Sequence, residues 1–153
     1  MSITATLDDG RAASELAKLQ ATLADPTPLH RLIAAGLERN FNKRFNARVD
    51  PDGKAWMPWA DSTHALRTKQ GKTKLLEFSN PGMRDSVRTT ADRNGAALTM
   101  LSPIAGYHEQ LTAPKKGQLP RRAMLFSKAG GLGAMDEKTV DKASTDYFKR
   151  ILG

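Results

Sequence analysis

Residues 45–59, Phe-Asn-Ala-Arg-Val-Asp-Pro-Asp-Gly-Lys-Ala-Trp-Met-Pro-Trp, constrain the fold more than any other stretch of the chain. They hold both tryptophans, and an amphipathic helical pattern runs into them from the N-terminal side. Pro51 fixes φ, the Asp52 carboxylate can fold back onto the backbone, and Gly53 accepts positive φ, so a tight reversal is expected. Pro58 then keeps the segment carrying Trp56 and Trp59 extended. Two such rings act as core anchors of a small domain, or as hot spots where a partner protein docks. The stretch contains no arrangement suited to catalysis.

A chain of 153 residues suits a single domain, 1–153, in which 1–25 is a candidate N-terminal helical arm. No apolar run approaches membrane-spanning length, so no membrane partner is expected. The first residues carry neither a basic nor an apolar signal region, and the chain has no cysteine. Folding in a reducing cytoplasm fits best, without disulfides or thiolate metal sites. The formal charge of +8 favours polyanionic partners or an acidic protein surface. The positives gather in two loop-like clusters: Arg67, Lys69, Lys72 and Lys74, then Lys115, Lys116, Arg121, Arg122 and Lys128. Neither cluster is interleaved with aromatic residues for base stacking. They are either solvated loops or contacts to DNA or an acidic partner.

Along the chain, Asp8 or Asp9 is placed to cap a first helix running to about Leu23, with Ala12, Leu16, Leu19 and Leu23 on one face. Thr27 then reads as an N-cap with Pro28 at the first helical position. The helix that follows runs to about Ala47, with Leu29, Leu32, Ile33, Leu37, Phe41 and Phe45 on one side. Arg31, Glu38, Arg39, Lys43 and Arg48 lie on its other side. Asp61-Ser62-Thr63 reads as the cap of a short helical turn, before a basic loop over 70–74. Residues 83–91 and 96–101 flank Asp92-Arg93-Asn94-Gly95, and Asn-Gly marks a hairpin. Ser102-Pro103 starts a helical turn carrying Ile104, Tyr107 and Leu111. Residues 121–127, with Met124, Leu125 and Phe126, read as a buried strand. A glycine-rich joint at 129–134 leads to a C-terminal helix from Asp136 to Leu152, whose four acids balance four bases. The fold class is α+β: a small antiparallel sheet, the hairpin at about 83–101, packed with N-terminal helices and a C-terminal helix.

No reaction class assembles. Gly71-Lys72-Thr73 ends like a phosphate loop, but Leu66 stands where the motif needs its first glycine. His108-Glu109 opens like a zinc-protease helix, yet Thr112 replaces the second histidine. His30, His64 and His108 lie in different elements and read as surface or hydrogen-bonded residues. The expectation is a protein that is not an enzyme, with no catalytic residue, cofactor or metal.

The order of several segments carries a resemblance. Asp50-Pro51-Asp52-Gly53, Trp56-Met57-Pro58-Trp59, Thr63, Lys69, Leu75-Leu76 and Met83-Arg84-Asp85-Ser86-Val87 resemble the phage virion morphogenesis, or tail completion, family of Mu-like and P2-like contractile-tailed phages. Tyr107-His108-Glu109-Gln110 and the segment 119–126 are similar to a second block of that family, with a longer turn at 79–82. The resemblance implies a structural virion protein of the neck or upper tail, made in the host cytoplasm. It implies a homo-oligomeric ring, a hexamer, that contacts tail tube, sheath and head-connector proteins. Trp56, Trp59 and Tyr107 are then interface or core anchors. Arg67, Lys69, Lys72, Lys74, Lys115, Lys116, Arg121 and Arg122 become candidate contacts to channel DNA or to acidic neighbours. The alternative is a sequence-independent DNA-binding protein acting through the same basic loops.

Overall fold

The computed structural model describes residues 10–76, 82–109 and 120–152. Five helices and one hairpin follow in the order α1 (Gly10–Ala24), α2 (Thr27–Ala47), α3 (Asp61–Lys69), β1 (Val87–Ala91), β2 (Ala96–Met100), α4 (Ala105–His108) and α5 (Ala134–Leu152). The architecture is α+β, as the periodicities require. The expected cap at Asp8 or Asp9, Leu111, and the basic residues Lys115 and Lys116 lie outside the described residues.

Helix α2 is the axis of the molecule. Its buried positions include Leu29, Leu37, Phe41 and Phe45, which recur at steps of eight and four and so form one face. Gly53 at φ +81° turns the chain after it, and Val49 pairs with Ala55 across the reversal. The rings of Phe41 and Phe45 lie 5.7 Å apart, and Phe45 in turn meets the Trp56 ring edge-on at 5.3 Å. Leu76, Met83, Ala105 and Met124 complete this core. The hairpin lays one face on it: Val87, Leu98 and Met100 pack inward, while Arg88, Thr90, Ala97 and Thr99 face solvent. The register pairs Val87 with Met100 and Ala91 with Ala96.

Several local expectations are corrected. Pro26, not Thr27, is the N-cap of α2, and the Asp25 carboxylate accepts from the Thr27 N–H at 3.1 Å. Hydrogen bonding from Thr27 holds the Asp25 carboxyl below the usual carboxylate range. In the reversal it is Asp50 that folds back, accepting from the N–H of Asp52 and Lys54 at 3.0 and 2.8 Å. Asp52 instead accepts from the Lys128 N–H at 2.7 Å, tying the turn to the distant chain. Ala60 precedes α3 without a side-chain cap. A short 3-10 helix, Arg84–Ser86, occupies the start of the expected first strand, so β1 begins at Val87. The hairpin turn is shaped by Asp92, whose carboxylate takes the N–H groups of Asn94 and Gly95.

The largest correction concerns residues 121–127. They are not a strand. Their backbone donors turn instead to one side chain, because the Glu109 carboxylate accepts from the N–H groups of Met124, Leu125 and Phe126. A carboxylate stands in for a neighbouring strand, satisfying donors that are part-buried at Met124 and Leu125.

Candidate functional site

Two of the segments that carried the resemblance, 50–58 and 120–126, converge on one junction. The indole N–H of Trp56 donates to the Ala123 carbonyl at 2.9 Å, and the ring is only 6% exposed. Arg122, 4% exposed, donates from Nε to the Met57 carbonyl at 2.7 Å and from Nη2 to the Pro58 carbonyl at 3.0 Å. Burial lowers the pKa of this guanidinium. Arg121 turns inward as well, donating to the carbonyls of Phe126 and Ser127 and standing 4.0 Å from the Asp50 carboxylate. Tryptophan loop, reversal and 120s segment are thus laced into one block.

Below the junction a second lock joins the two long helices. Arg44 of α2 pairs with Asp136 of α5 at 2.8 Å, both almost completely buried, and Arg44 also donates to the Met124 carbonyl. Asn40 donates to the same Asp136 oxygen at 2.9 Å and to the Thr139 hydroxyl at 2.8 Å. Neither Arg44 nor Asp136 stood out in the sequence as more than a surface charge. The only signal was a polar residue, Arg44, beside Phe45 on the apolar side of its helix.

The expected anchors divide. Trp56 is core. Trp59 is half-buried, its ring 6.0 Å from that of His64. Tyr107 is 59% exposed on α4, next to exposed Ile104. The expected basic contacts divide too. Arg121 and Arg122 turn their donors onto carbonyls of the same chain. Arg67, Lys69, Lys72 and Lys74 sit at the end of α3 and in the loop after it, Lys69 and Lys74 exposed and Arg67 and Lys72 partly covered. The reversal also closes on the glycine-rich joint: Gly133 is buried, and a Cβ there would collide with the Pro51 backbone.

Among the described residues, no group of three or more histidines and carboxylates could hold a metal ion. None of their helices is long and apolar enough to cross a membrane. His108 is buried and donates to the Pro120 carbonyl at 3.4 Å, and burial holds its imidazole below the ordinary range. Among the described residues no acid or nucleophile bonds to its ring.

Fold and site therefore define a small α+β scaffold whose buried polar residues lock loops and helices together. The chain belongs to the phage virion morphogenesis family, whose profile matches residues 7–149. Its role is accordingly in the structure and assembly of a bacteriophage particle. No curated protein and no solved structure matches the chain.

Proposed function

We propose that the protein completes the tail or joins tail to head, acting as a ring in the neck or upper tail by docking and without catalysis. Family membership supports the virion role. The observation that carries the docking role is the face of α1. No residue of α1 is buried, and Leu16 and Leu23 are 60% and 69% exposed although they sit on its apolar stripe. Within one chain α1 meets α5, leaving that stripe for a neighbour. A six-membered homo-oligomer matching the tail is the arrangement we favour, in contact with tail tube, sheath and head-connector proteins. Leu16→Arg combined with Leu23→Arg is expected to leave the monomer folded, because neither side chain is buried, yet to abolish complementation of a phage lacking the protein. Unchanged titres would remove this reading.

The DNA-binding alternative retains one support, the exposed Lys69 and Lys74 beside Arg67 and Lys72. As channel-lining contacts they would give binding to duplex DNA that weakens steeply with salt. Replacing Lys69 and Lys74 by Gln should then weaken retention of packaged DNA without affecting ring formation.

A further inference from the structure

Helices α2 and α5 approach closely at Gly36, where a Cβ would run into Cγ2 of Thr139. Beside this approach lies a groove of about 470 Å³. Leu32, Met135 and Ala143 give it an apolar part, and Leu32 and Met135 are 41% and 47% exposed. Five cations border it: Arg39 and Lys43 on α2, and Lys138, Lys142 and Arg150 on α5. All five are exposed. Asp146 is the single acid of the lining, and it pairs with Lys142 at 2.7 Å. The other four cations have no ion pair among the described residues. On α5 the cations fall at four- and eight-residue steps, which sets them in one row along the helix.

We propose that this groove docks an acidic amphipathic helix of a partner protein, apolar side chains on Leu32, Met135 and Ala143 and carboxylates on the cationic border. Charge complementarity selects an acidic partner, since the border carries five positive charges against one negative. The apolar part selects a protein segment over nucleic acid. A phosphate backbone offers nothing to cover Leu32 and Met135, and the lining includes no aromatic ring on which a base could stack. A cleft between two helices accepts a third helix by its apolar face. A second copy of this chain is the poorer fit, because the chain is itself +8 and α1 carries Arg11 and Lys18 against Glu15. The proposal does not depend on ring formation.

The test uses the full-length protein and three probes. They are an acidic peptide of about four helical turns with one leucine face, its scrambled isomer, and a short DNA duplex. The leucine-faced peptide is expected to bind at least about tenfold more tightly than its isomer. Its amide shift changes should centre on Gly36, Thr139 and Ala143. Lys138→Glu with Lys142→Glu should weaken it by about tenfold or more with an unchanged melting curve. Should that variant fail to fold, Arg39→Gln with Lys43→Gln on the opposite wall is expected to weaken the peptide in the same direction. Equal binding of the two peptides, shifts centred elsewhere, displacement by the duplex, or no binding of any probe would each overturn the assignment.

Discussion

Glu109 holds more of this molecule together than its single charge suggests. Three consecutive backbone donors end on its carboxylate, so its removal strands the part-buried N–H groups of Met124 and Leu125, which no strand is there to receive. Glu109→Ala is expected to cost about 3 kcal/mol of stability, and Glu109→Gln about half that, since one acceptor survives. Urea denaturation of both variants measures it, and a loss near zero would mean water serves these donors equally well. His108, one residue earlier, links the same region to pH. Its folded pKa lies below the ordinary 6.5 because burial disfavours the imidazolium. The unfolded chain therefore binds the extra proton first. Stability contributed by neutral His108 is complete above about pH 6.5 and is lost as pH falls from there towards the folded value. Urea midpoints at about pH 7 and about pH 5 should fall further for the natural chain than for His108→Gln. Little of this was legible in the residues themselves. Met124, Leu125 and Phe126 form an apolar run that suits a strand or a buried loop alike, and periodicity does not separate the two. What decides is a carboxylate some 15 to 17 positions earlier.

At the scale of elements, α2 was readable because its apolar positions recur with the helical period and its exit is fixed by Pro51 and Gly53. The hairpin was readable because its turn chemistry is local, even though Asp92 shares the work with Asn94 and Gly95. The contact between α2 and α5 was not readable. Arg44 and Asp136 are 92 positions apart, and each looks like one more charge on a solvated face. The charges of α5 cancel in sum, which hid the row of Lys138, Lys142 and Arg150 facing the cations of α2. The close approach at Gly36 gives this packing a sharp test. Gly36→Ala gains about 1 kcal/mol of helix propensity, yet its methyl meets a Thr139 held by hydrogen bonds to Asn40 and Met135. We expect a net loss of about 1–2 kcal/mol for Gly36→Ala alone. Adding Thr139→Ser, which deletes Cγ2 and keeps the hydroxyl, should restore most of it. Thermal melts of the two variants check this, and a double variant no more stable than Gly36→Ala would place the clash elsewhere.

For the whole molecule, the polar residues divide into two populations with different tasks. Arg44, Asp136, Glu109, Arg122 and Trp56 tie tryptophan loop, reversal and 120s segment into one hydrogen-bonded block. Outside it remain the apolar stripe of α1, Tyr107 with Ile104, the α3 basic loop and the cationic groove. A scaffold with a hydrogen-bonded interior and several exposed faces of distinct chemistry is compatible with the docking proposed above, and family membership gives the chain a role in the structure and assembly of a phage particle. Cryo-electron microscopy of the intact particle tests the ring most directly. The account predicts a closed ring of this chain at the head–tail junction, with the Leu16 and Leu23 stripe of α1 covered by the adjacent subunit. Particles that lack the chain altogether, or hold it singly with that stripe facing solvent, would contradict it.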